Sequence, residues 1–135
     1  MTRYCSAILI CIIMFFSFDL NAGDPKGTYR ICKATGSSAI SMYCAPANQV
    51  RILSISVRFS AAPSTAGDFS IIFDSIQGSA YDVLLYKIDP SVASATSIVW
   101  NPCTLGLVYG DMIKITYANP NGLTYGILIY YETMS

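Results

Sequence analysis

Apolar side chains recur at every second position in run after run of this chain. That spacing constrains the fold more than any other feature. Leu53, Ile55, Val57 and Phe59 alternate with Ser54, Ser56, Arg58 and Ser60. Successive side chains of a strand point to opposite faces, so such a run buries one face and wets the other. Phe69, Ile71 and Phe73 continue the pattern against Ser70, Ile72 and Asp74. Further strands are predicted over 28–33, 81–88, 97–100 and 105–109. Ala61-Ala62-Pro63, Gly78-Ser79, Asp89-Pro90 and Asn101-Pro102 punctuate the runs, since proline removes a ladder donor and glycine weakens a strand. No stretch holds a 3.6-residue apolar period for three turns, so almost no helix is expected.

The last two runs are joined by Asn119-Pro120-Asn121-Gly122. Ile113, Ile115 and Tyr117 share one face, as do Leu123, Tyr125, Ile127, Ile129 and Tyr131. A loop on Pro120-Asn121-Gly122 would pair Tyr117 with Tyr125, Ile115 with Ile127 and Ile113 with Ile129, apolar against apolar. Proline suits the first position of a type I turn, and Gly122 suits the left-handed residue that ends it. The reading is a terminal hairpin. Seven or eight short strands separated by turn signals predict an all-β, antiparallel β-sandwich, jelly-roll-like in character.

The 135 residues carry 8 basic and 8 acidic groups, and histidine is absent. A neutral chain lacks the field that holds a phosphate backbone, so no nucleic-acid partner is expected. Without histidine, the commonest general base and metal ligand are missing. No metal site and no cofactor are expected, because there is no CxxC pair, no D-x-D-x-D-G loop and no glycine-rich phosphate cradle.

Residues 1–22 read as a secretory signal peptide. Arg3 precedes an apolar run over 6–18, and Ala22 offers a small residue at the cut. The run is shorter than the ~20 residues a membrane span needs. The remainder, 23–135, is expected to be one exported β-sandwich domain, secreted or at the cell surface, with no membrane contact after cleavage. Cys32, Cys44 and Cys103 stay with it. In an oxidising compartment two of them are expected to pair, against an ordinary reading of three small buried hydrophobes. Cys32 with Cys44 closes the shorter loop, and Cys103 is the alternative.

Candidate chemistry is sparse. Asp74 and Asp82 fall on adjacent predicted strands, where a glycosidase-like pair about 5–9 Å apart could form. The ordinary reading is a solvated face. Asp68, Asp89 and Asp111 sit beside turns and suit turn capping. A serine with Lys87 or Lys114 as base is the remaining nucleophile, and no G-x-S-x-G motif supports it. No catalytic residue is assigned. Tyrosine is abundant, at 10 residues. Tyr86, read as pointing outward, opposite to Tyr81, and Tyr130, opposite to Tyr125 and Tyr131, are with Trp100 candidate stacking platforms for a sugar or a partner chain, against an ordinary reading of strand surface and, for Trp100, a plug at one end of the sandwich.

From Phe59 to Glu132 the order FSAAPSTAGDFSIIFDS, AYDVLLYKIDP, SIVWNP and GDMIKITYANPNGLTYGILIYYE resembles small β-sandwich proteins encoded among tailed-phage structural genes and related environmental sequences. That resemblance implies a virion-surface or accessory component without enzymatic activity. The leader and the exported cysteines point instead to a secreted cellular relative of the same architecture. The expected function is a non-enzymatic structural or binding module: a surface, fibre or virion subunit that self-associates or takes a protein or glycan partner. Residues 23–33 are a candidate donor strand for a neighbour's sheet edge. A carbohydrate-binding module is the alternative, and a small hydrolase a remote one.

Overall fold

The computed structural model describes residues 28–102 and 105–134. The predicted leader over 1–22, the lead-in 23–27 and Cys103 lie outside the described residues. The described residues form nine strands: β1 (Tyr29–Gly36), β2 (Ile40–Cys44), β3 (Val50–Phe59), β4 (Phe69–Asp74), β5 (Val83–Ile88), β6 (Ser97–Trp100), β7 (Leu105–Leu107), β8 (Met112–Tyr117) and β9 (Tyr125–Thr133). One short 3-10 turn, Ser79–Tyr81, interrupts them. The fold is an all-β sandwich of two antiparallel sheets.

Sheet one has the order β1-β9-β3-β6, with β7 also paired to β3; sheet two has the order β2-β8-β4-β5. The two halves of the chain pair as mirror images. Phe69 faces Ile88 at the tip, Ile55 faces Trp100, Ile40 faces Tyr117, and Tyr29 faces Glu132. The chain is therefore one long nested hairpin. It is rolled until β9 also meets β3 and β8 also meets β4. That wrapping is a jelly roll.

Alternation drives the rolling. The inward rows of both sheets meet in one core that includes Met42, Ile52, Ile71, Ile113, Ile115 and Ile129, each 0% exposed. Two bulges adjust the pattern. The pairing of β3 with β9 slips between Ile52 and Ser54, leaving Leu53 half-buried while Ile52 and Ile55 point inward. The pairing of β5 with β4 slips between Leu84 and Tyr86. A bulge adds a residue and changes which side chains share a face.

The structure corrects the terminal hairpin. β8 lies in sheet two and β9 in sheet one, so 118–124 is an arch between sheets and not a hairpin loop. Tyr117 pairs with Ile40, and Tyr125 with Gly36 and Phe59. Two apolar rows can be buried by pairing side by side or by facing each other, and here they face each other. The turn itself has the local shape its residues favour. The Gly122 amide donates to the Asn119 carbonyl at 2.9 Å, and Gly122 has φ +59°. A second correction concerns β2, which raises the number of strands to nine. Ile40, Met42 and Cys44 are its buried row, a short alternation with few β-branched residues. A third concerns the donor strand. Of that segment, residues 29–33 belong to β1 and pair with this chain's own β9.

A left-handed backbone disfavours side chains with a β-carbon, by about 1–2 kcal/mol. Gly122→Val is therefore expected to lower stability by about that amount in urea denaturation. Nothing lies within 4 Å of the new β-carbon, so the loss reports backbone strain alone. An unchanged midpoint would refute the turn's role.

Candidate functional site

The two ends of the sandwich are tied by polar side chains, and they present different surfaces. At one end the 118–124 arch is the hub. Asn119 is buried, with 5% exposure, and adopts φ +48°. Its Nδ2 donates to the carbonyls of Ser37, Ser38 and Leu123, and its Oδ1 accepts from the Leu123 amide. Asn121 Oδ1 accepts from the Ser64 and Thr65 amides, and its Nδ2 donates to both hydroxyls. Two asparagines thus lock the β1–β2 and β3–β4 loops onto the arch. Asparagine suits this work because it carries both donor and acceptor and tolerates left-handed backbone. Nearby, Asp89 accepts from the amide and hydroxyl of Ser91, and the hydroxyl contact chiefly holds its carboxyl below the ordinary range.

At the opposite end the hub is Asp111, 5% exposed. Oδ1 accepts from the Ile76 amide and Oδ2 from the Val108 amide. Asp82 accepts from the Ser75 amide in the same loop. Gly110, at φ +95°, leaves room for the Ile76 side chain, with which a β-carbon there would collide. The two clamped loops hold apolar groups out to water. Ile76 is 60% exposed, Tyr81 59%, Val108 53% and Tyr109 73%. Val83 and Leu84, at the start of edge strand β5, extend this surface. No run of these residues is periodic, so sequence reading missed the patch; the signal available was Gly110-Asp111 flanked by Val108-Tyr109.

The predicted aromatic platforms do not converge. Tyr86 and Trp100 lie on β5 and β6, the strands that edge the two sheets on one side. Their rings are 6.3 Å apart, tilted by 35°, and both pack on the core. The expectation that Tyr86 faces outward is thereby corrected: the bulge in β5 sets it opposite buried Ile71. Trp100 helps to close the gap between sheet edges. Tyr130 lies elsewhere, half-buried on the outer face of sheet one, stacked on Tyr29 at 5.7 Å with 15° between planes.

Asp74 and Asp82 sit at the neighbouring ends of β4 and β5, next to the Phe73–Val83 pair. Both lie close enough to Lys114 to favour its charged form. Its pKa is raised chiefly by a hydrogen bond to the Tyr43 hydroxyl, whose ring lies 5.2 Å from the ammonium. Lys87 pairs with Asp68 at 2.8 Å. Asp111 and Asp89 cap turns as expected, whereas Asp68 does not. A cleft of about 330 Å³ between the end of β3 and the start of β9 is lined by Thr35, Arg58, Phe59, Ser60, Thr124 and Tyr125, with Gly126, and by no carboxylate. Among the described residues no three metal-binding side chains cluster.

The predicted cysteine pair comes together. Cys32 Sγ and Cys44 Sγ are 2.7 Å apart in the core, a distance longer than the ~2.05 Å of a bonded disulfide. Cys32 is on sheet one and Cys44 on sheet two. Burial pushes the Cys44 sulfhydryl far above its ordinary pKa, and a protonated thiol is a poor nucleophile.

Asn119→Ala is expected to cost about 1–3 kcal/mol in urea denaturation, since it removes a buried side chain that bonds three part-buried carbonyls and an amide. Asn121→Ala, on an exposed residue, should cost less than about 1 kcal/mol. Equal losses would show that the Asn119 bonds do not lock the loops. The chain matches no protein-family model, no curated protein and no solved structure.

Proposed function

We propose that this protein is a non-enzymatic, extracytoplasmic jelly-roll subunit that assembles with copies of itself in a surface layer, fibre or virion. The observation that carries this reading is the apolar end around Asp111. Clustered apolar side chains held in water favour a protein contact. The surface is built, because a buried carboxylate clamps both loops that carry it. Jelly rolls recur in capsid and lectin domains, which supports the structural reading only as an analogy of architecture. The leader over 1–22 supports export.

Sedimentation of the chain at rising concentration tests the reading. Association that weakens at least about tenfold in Ile76→Ser/Tyr109→Ser is expected, as for loss of buried apolar anchors. A strict monomer at high concentration would overturn it.

Within the same reading, Cys32 enters a disulfide as the chain folds in an oxidising compartment. Peptide mapping of the exported, alkylated chain should recover Cys32 linked to a second cysteine, and recovery of alkylated Cys32 would refute the bond.

A second reading, a carbohydrate-binding module, is favoured by the stacked, near-parallel Tyr29 and Tyr130 rings on the outer face of sheet one. Glycan binding lost in Tyr130→Ala would support it.

A further inference from the structure

Gly126 stands where the fold has no use for a glycine. It lies inside β9, between β1 and β3 in sheet one. A glycine in a strand interior weakens the strand, and it marks a bulge, a bend or a close approach by a ligand or another backbone. The register excludes a bulge here. Gly126 pairs with Thr35 on one side and Arg58 on the other, and the slip between β3 and β9 falls between Ile52 and Ser54. Nor does the backbone demand glycine, because positive φ among the described glycines is confined to Gly78, Gly110 and Gly122. A β-carbon on Gly126 would meet nothing within 4 Å, so no neighbour in the chain crowds it. The missing side chain leaves room on the outer face.

That room opens into the cleft of about 330 Å³. Strands lie about 4.8 Å apart, so Thr35 and Arg58 flank a gap roughly 10 Å wide with Gly126 between them. Phe59 and Tyr125, the next pair along the two strands, give the cleft an apolar wall. Thr35, Ser60 and Thr124, all exposed, set hydroxyls around it. Among the described residues that line it, Arg58 is the one charged group, and it is exposed. Its guanidinium has no partner among the described residues, whereas Arg51 on the same strand pairs with Glu132.

An unpaired guanidinium beside an acid-free cleft selects an anion. Its planar fork matches a carboxylate through two parallel hydrogen bonds. A single cation balances a single negative charge, which favours a carboxylate over a doubly charged phosphate. A sugar ring supplies the rest, an apolar face for the wall and hydroxyls for the threonines and serine. The cleft lies at the small end of the range for ligand pockets, which suits a ring and not a folded partner. We propose that this cleft binds an acidic sugar, a uronic acid whose carboxylate pairs with Arg58 while its ring lies over Gly126. This goes beyond self-assembly and does not depend on it, since the apolar loops at Asp111 occupy the other end of the sandwich.

Isothermal titration calorimetry of the chain with digalacturonate tests the proposal, with cellobiose as the neutral control and diglutamate as the peptide control. Digalacturonate should bind and neither control should. Two variants locate the site. Arg58→Gln removes the charge and should weaken binding at least about tenfold, as for lost hydrogen bonds to a charged group. Gly126→Val fills the gap with a side chain that suits a strand. It should abolish binding and leave the urea midpoint unchanged or higher, because nothing lies within 4 Å of the new β-carbon. Arg58→Gln alters an exposed side chain without a partner, so it decides the matter if the valine variant fails to fold. No binding of digalacturonate at millimolar concentration, or binding that either folded variant retains, would overturn the site. Equal binding of diglutamate would overturn the sugar assignment.

Discussion

Closure of the sandwich depends on one inward row, the alternate residues of β9. Tyr125, Ile127, Ile129 and Tyr131 are each buried, and the strand that carries them lies between β1 and β3 at the centre of sheet one. Each such side chain contributes roughly 1.5–3 kcal/mol on burial. The row belongs to the last strand in the sequence, yet its partners come from the first half of the chain. Until β9 arrives, β1 has no neighbour in its sheet and β3 is covered on one edge only. The nested pairing that makes a jelly roll therefore defers much of the core to a late, long-range event. Chains of such topology fold slowly for that reason.

Once the sheets are closed, their ends are finished by the same device used twice. A buried polar side chain takes up the backbone groups of two loops: Asn119 at one end and Asp111 at the other. What differs is the surface each device holds up. Around Asn119 and Asn121 the exposed groups are serines, threonines and amides, which water satisfies. Around Asp111 they are Ile76, Tyr81, Val108 and Tyr109, which water does not. A clamp that keeps apolar groups exposed spends folding energy on a contact surface.

Much of the architecture was legible in the chain. The inward rows of β4, β8 and β9 were read correctly from period-two spacing, and so was most of β3. The turn at Gly122 followed from proline and glycine at defined positions. Misreadings trace to two causes. Bulges at Leu53 and Leu85 break strict alternation, so Tyr86 was set on the wrong face. Facing rows were taken for paired rows, so an arch was read as a hairpin. The candidate site was less legible still. Tyr86, Trp100 and Tyr130 shared only a residue class, and the folded chain places Tyr130 apart from the other two. The apolar end draws on two loops separated by more than two strands of sequence, with no periodicity to announce it.

Local chemistry alone determined which side chains turn inward away from the two bulges, where strands stop, and that no histidine is present for catalysis or metal binding, because alternation, proline, glycine and composition are properties of neighbouring residues. Only the tertiary structure decided which strand lies beside which, that Cys32 meets Cys44 across the sheets, and that apolar loops gather at Asp111. Alternation states that a face must be buried without naming what buries it. That choice is made by the packing of distant segments into a single core.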